Sequence, residues 1–255
     1  MNTIARVGFI ARGVVYILIG VLALAIARGK AAPQADRVGA LQYIAAHSYG
    51  KALLWILVVG FASMALWRFA QLYFAVRRHS RKHGDEVQSL VRGISYALFF
   101  LGTLHFVQGA GLPATTGQQS QDFTAQTMSH SGGRIVVFVV GGIVTAVGLY
   151  MIWMGVTKHF LKDLRTGAMS RRAVSVATTL GTVGNIARGL MFGALGGSMV
   201  DAAIKYTATD AKGTDAVLRS FAHTAAGPLL LIAVAIGLVL FGLYSWCEAR
   251  WHRDL

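Results

Sequence analysis

A seven-residue string near the start of the chain returns near its end, and that recurrence restricts the fold to copies of one unit. Val7-Gly8-Phe9-Ile10-Ala11-Arg12-Gly13 reappears as Val183-Gly184-Asn185-Ile186-Ala187-Arg188-Gly189, with six of the seven positions identical. A looser copy, Leu90-Val91-Arg92-Gly93, lies between them. Four residues beyond each arginine stands an aromatic, Tyr16, Tyr96 or Phe192, and a glycine follows at Gly20, Gly102 and Gly196. A second signature accompanies the first: His47-Ser48, His130-Ser131 and His223-Thr224, each followed by a glycine (Gly50, Gly133, Gly227) and, 20 or 21 residues after the histidine, by Trp67, Tyr150 or Tyr244. Self-similarity on this scale marks one supersecondary unit copied and stacked. The units run over about 1–75, 85–160 and 180–255.

Each unit contains two long apolar runs, at roughly 7–27, 52–74, 89–110, 135–157, 181–200 and 228–246. A helix rises ~1.5 Å per residue, so ~20 residues cross a hydrocarbon layer of ~30 Å. The runs lack the alternation of a barrel strand. Only 13% of the 255 residues are charged and 55% are hydrophobic, whereas a soluble domain is about a quarter charged. The predicted fold is a single all-α transmembrane domain over 1–255, with six transmembrane helices arranged as three pseudo-symmetric two-helix hairpins. The first run, behind Arg6 and Arg12, has the look of a signal peptide. Its recurrence inside the chain makes it a structural helix.

Charge then sets the expected orientation. A net charge of +14 could suggest nucleic acid, but the basic residues cluster between apolar runs, as the positive-inside rule requires. Nucleic acid is therefore not an expected partner. The connection 75–91 carries Arg77, Arg78, Arg81 and Lys82, and 158–180 carries Lys158, Lys162, Arg165, Arg171 and Arg172; the connection 111–133 has no Lys or Arg. Both termini and both basic connections are expected on the cytoplasmic side of the plasma (inner) membrane, with the histidine-bearing hairpin loops outside. Trp67, Trp153, Trp246 and Trp251 then form an aromatic belt at the cytoplasmic interface. Such parallel hairpins differ from the inverted repeats common in secondary transporters.

The repeated Ala-Arg-Gly-x-x-Tyr start, seen at Ala11-Arg12-Gly13 with Tyr16, resembles a bacterial membrane-protein family labelled domain of unknown function 1206. The resemblance covers essentially the whole chain. Unit two departs from it, with Val91 in place of the alanine and the upstream glycine missing. The resemblance implies a membrane location and three repeats, and brings no activity with it.

Three sets of residues are candidate sites. Arg12, Arg92 and Arg188 come first; Arg12 and Arg188 lie about two turns inside their helices, where a charge is costly unless it reaches the interface or a partner. Their i,i+4 aromatics, Tyr16, Tyr96 and Phe192, invite cation–π contact. Such arginines either anchor to lipid phosphates or ring a pseudo-threefold axis and bind an anionic ligand or lipid headgroup. No Asp or Glu falls within the six runs, so an intramembrane ion pair is not expected. His47, His130 and His223 could together ligate a metal, although Ser48, Ser131 and Thr224 beside them read as N-caps of the outward-starting helices. His105 with Gln108 could line a cavity or ligate haem. The overlapping glycine steps Gly189, Gly193 and Gly197 promote close helix packing, within the chain or between copies.

No P-loop, dinucleotide-binding, metalloprotease or hydrolase-elbow motif occurs, and the lone Cys247 forms no intrachain disulfide. The expectation is a non-enzymatic structural or accessory membrane protein without a cofactor, set among lipids, with a homo-oligomer or a membrane-protein partner as the candidate assemblies. The alternatives are a small-anion or lipid-headgroup transporter or channel using the arginines, and a metal or haem redox protein using the histidines.

Overall fold

The computed structural model describes residues 3–30, 33–77, 83–224 and 227–252, with the side chains of 3–5, 74–77, 83–89, 91 and 92 left aside. Residues 78–82 of the basic connection and the side chains of Arg77, His83 and Arg92 therefore lie outside the described residues.

The described chain is helical, and each unit contains three helices rather than two. A long helix is followed by a short one and then by a second long one: α1 (Thr3–Ala27), α2 (Arg37–Ala45), α3 (Gly50–Arg77); α4 (His83–Val107), α5 (Thr116–Met128), α6 (Gly133–Val156); α7 (Arg171–Lys205), α8 (Thr214–Ala222), α9 (Gly227–Trp251). Four of the long helices, α1, α3, α6 and α9, are long and apolar enough to cross a membrane; the apolar stretch of α4 is shorter, over Gly93–Val107. The long α7 carries Thr, Gly, Asn185 and Arg188 within its span, and its buried face is built from glycines and alanines, including Gly181, Gly184, Gly189 and Gly196.

The long helices pack as an incomplete ring. Helix α1 lies on α3, α3 on α4, α6 on α7, α7 on α9, and α9 returns to α1. Close contact between apolar helices depends on small residues that let backbones approach. The repeat supplies them in register. On the α1–α9 seam, a Cβ on Gly13 would meet the Gly242 carbonyl oxygen at 2.7 Å, and one on Gly20 would meet that of Ala235 at 2.6 Å. On the α6–α7 seam, Gly189 meets the Gly148 carbonyl at 2.6 Å and Gly196 meets that of Gly141 at 2.6 Å. All four seam faces repeat every seven residues, two helical turns.

The hairpin contacts within units one and three are equally matched. Gly8 packs on Met64 and Gly60 on Ala11; in unit three Gly184 packs on Phe241 and Gly237 on Ala187. The repeat places Gln88, Val91 and Ile143 where units one and three have Gly, Ala and Gly. The α4–α6 seam is correspondingly the one place in the ring, among the described residues, without extensive contact. Ile143 there is exposed.

The short helices cap the opposite end of the bundle from the basic connections. Asp36 caps α2 by accepting from the Gly39 N–H at 2.9 Å. Thr115 and Gln118 form a reciprocal capping box at the start of α5, which satisfies two orphan donors at once. The three starts converge: Thr116 N–H donates to Asp36 at 3.3 Å, Ala35 N–H donates to Asp215 of α8 at 2.7 Å, and Gly213 abuts the backbone of Gly117.

Candidate functional site

The expectation that no acid enters the apolar spans is corrected by Glu248. It lies in the last two turns of α9 and forms an ion pair with Arg12, both side chains being largely buried. The apolar run ended at 246 by sequence, yet the helix continues through Trp251. Arg12 also donates through Nε to the Ser245 hydroxyl at 3.1 Å, and Ser245 passes its own proton to the Phe241 carbonyl at 3.0 Å. Tyr96, from unit two, stands near the same guanidinium. Phe9 and Phe241 complete the pocket, with ring centroids 4.8 and 5.2 Å from the guanidinium carbon. The last helix is thus tied to the first by charge as well as by glycine packing. Glu248 was missed because an acid near the end of a run reads as a boundary.

Arg188 is held differently. Its Nε donates to the Tyr16 hydroxyl at 3.2 Å. Its guanidinium carbon lies 4.1 Å from the Phe241 ring centroid, 5.1 Å from that of Tyr16 and 5.7 Å from that of Phe192. The i,i+4 expectation therefore holds for Arg188 and Phe192, while Tyr16 stacks with the arginine of unit three rather than with its own. Arg12 and Arg188 share the Phe241 ring, so the structure brings these two together. At the end of unit one, Arg68 lies over Trp67 at 4.6 Å and donates to the Gln71 side chain at 2.9 Å.

The structure does not bring the three histidines together. Among the described residues no three His, Cys, Asp or Glu side chains are placed to hold a metal ion. His47 and His130 are exposed, and their Nδ1 atoms sit 2.8 and 2.9 Å from the carbonyls of Tyr43 and Gln126, four residues back. The N-cap reading of the neighbouring hydroxyls is also corrected. Ser48, Ser131 and Thr224 follow the ends of α2, α5 and α8, and the next long helices begin at Gly50, Gly133 and Gly227. The His-Ser/Thr signature is the joint between a short helix and the next long one. Gly50 donates its N–H to the His47 carbonyl at 2.8 Å, and Gly133 donates to that of His130 at 3.0 Å. A Cβ on Gly50 or Gly133 would collide with the carbonyl of Ile44 or Thr127, so the tight reversal requires glycine there. His105 and Gln108 lie exposed at the end of α4.

The glycines of α7 divide in the same way. Gly189 packs against Gly148 and Ile152, and a Cβ on Gly148 would collide with the backbone nitrogen of Gly193, whereas one on Gly197 would meet open space. The four-residue step from Gly189 to Gly193 in the sequence expectation therefore lies on the α6–α7 seam, and Gly196 continues it against Gly141.

At the capped end, burial pushes the Asp36 carboxyl above its usual range, with Asp215 adding to the effect and the Gly39 and Thr116 N–H groups opposing it. Arg37, 3.9 Å from the Phe99 ring centroid, is pushed down to about 10 by the same burial.

The family described as Domain of Unknown Function (DUF1206) matches three times, over residues 7–75, 87–158 and 183–252. The chain belongs to the DUF1206 family. It is 29% identical over 247 residues to the uncharacterized protein YxxB of Bacillus subtilis (strain 168), covering 94% of this chain and 87% of that protein. No solved structure matches. The family match bears out the resemblance read from the arginine motifs, and it extends through unit two despite Val91.

Proposed function

We propose that this DUF1206 protein is a non-enzymatic, structural or accessory protein of the plasma (inner) membrane, with α1, α3, α4, α6, α7 and α9 spanning the bilayer and both termini in the cytoplasm. The observation that carries this reading is the Arg12–Glu248 pair. A charge repeated by the architecture is spent on joining the last helix to the first, a fastening role rather than a chemical one. The glycine-matched seams support it too, because backbones in contact leave little room for a polar path. The loop charges support the orientation.

The test is flux through proteoliposomes containing the purified chain, with chloride and phosphate as probes. Leak equal to that of empty liposomes is expected. Anion flux that disappears in Arg188→Ala would replace the accessory role with that of a small-anion carrier. That second reading is favoured by one observation, the cation Arg188 facing aromatic rings instead of a carboxylate.

A further inference from the structure

The two tightest seams of the ring are copies of each other, and the difference between them points to a ligand. Gly13 against Gly242 and Gly189 against Gly148 are equivalent contacts, which fixes the register of α9 on α1 and of α6 on α7. In that register the positions of Ser245 and Glu248, both bonded to Arg12, correspond to Met151 and Met154 on α6. Arg188 thus has the architecture of Arg12 with the acceptor and the counter-charge removed.

What replaces them is incomplete. Among the described residues, Arg188 belongs to no ion pair, and its hydrogen-bond partner is the single Tyr16 hydroxyl. Three rings attract a cation through their faces but accept no directed hydrogen bond from the guanidinium fork. Guanidinium stays charged at any ordinary pH, and a half-buried charge without a counter-ion is costly. Its planar fork matches the oxygens of a phosphate two at a time. Arg188, like Arg12, is partly and not fully buried.

We propose that Arg188, with Tyr16 and Phe241, is a binding site for a phosphate-type anion, supplied by an anionic lipid headgroup or by free phosphate. The ligand fills the role that Glu248 fills for Arg12. The site requires no turnover, so it stands apart from the accessory reading and from transport alike.

The experiment is native mass spectrometry of the full chain, presented with phosphatidylglycerol or phosphatidylcholine, alongside titration with inorganic phosphate read by tryptophan fluorescence. Wild type is expected to retain phosphatidylglycerol, or to bind phosphate, in preference to the zwitterionic lipid. Arg188→Gln should weaken that preference about tenfold to a hundredfold, the range for one charge-assisted contact. Met154→Glu should weaken it similarly while leaving Arg188 in place, because it installs the missing carboxylate; it decides the matter if Arg188→Gln fails to fold. Displacement of the lipid by inorganic phosphate identifies the phosphate itself as the ligand, and retention identifies the lipid. Equal anion retention by wild type and both variants, or no anion preference in wild type, overturns the site.

Discussion

Arg12 on the first helix and Glu248 on the last are 236 residues apart in the chain and paired in the fold. The pair closes the α1–α9 seam at the same level where Trp246 donates its indole N–H to the Ile10 carbonyl at 3.2 Å. Removing either partner leaves the other charge buried and unpaired. Arg12→Met or Glu248→Met should each destabilise the detergent-solubilised protein by about 3–5 kcal/mol, with the double variant less affected than either single one. Thermal unfolding of the three variants measures this. Single-variant effects near zero would mean the charges are solvated, not paired.

The glycine seams make a sharper prediction, because one methyl group is enough. Gly242→Ala and Gly148→Ala push a Cβ into a facing backbone and should cost about 1–3 kcal/mol through overpacking. Gly142→Ala, next to a seam glycine but facing open space, should be neutral or slightly stabilising, since alanine is the better helix former. Melting curves that fail to separate these variants would remove the seams from the account of the fold.

Protonation should strengthen the capped end. The carboxyl of Asp36 is raised above its usual range by burial, so the folded state binds the proton more readily than the unfolded chain does. The resulting stability is fully present below the ordinary carboxylate pKa of about 4 and is lost as pH rises through the folded value. Asp36→Asn keeps an N-capping side chain and removes the titration. The wild type should therefore gain more on acidification from neutral pH than the variant does, in melting temperature measured against pH.

The histidine joints predict an order of effects. Gly50→Ala and Gly133→Ala collide with backbone and should lower stability by about 1–3 kcal/mol. His47→Ala and His130→Ala remove exposed side chains and should change it by no more than about 0.5 kcal/mol. If a histidine variant is the more damaging of the pair, the joint has a role other than turning the chain.

The proposed orientation is open to direct measurement. Green fluorescent protein fused to the C-terminus should fluoresce, and alkaline phosphatase fused there should stay inactive, while phosphatase inserted in the 111–133 connection should be active. The reverse pattern would invert the assignment of both basic connections.

Much of the architecture was readable from local pattern. Apolar runs of membrane-crossing length report themselves one segment at a time, and the Val-Gly-x-Ile-Ala-Arg-Gly copies exposed the repeat without any contact being known. The short helices were written more faintly. Asp36 and the Thr115-x-x-Gln118 capping box are start signals, but the helices they open are too brief or too polar for apolar length to mark them. The arginines were found, and their partners were not. Tyr16 stands four residues from Arg12, which put the two together by helical spacing, yet its ring and hydroxyl meet Arg188.

By itself, then, the sequence determined that the chain is built from three copies of one helical unit, because periodicity and apolar length are properties of a segment alone. The tertiary structure decided what each copy does. Equivalent arginines face Glu248 in one seam and methionine positions in another, and equivalent hairpins close over Gly60 and Gly237 but not at Ile143. Those differences depend on which helix lies across the seam, and only packing brings residues hundreds of positions apart within reach of one another.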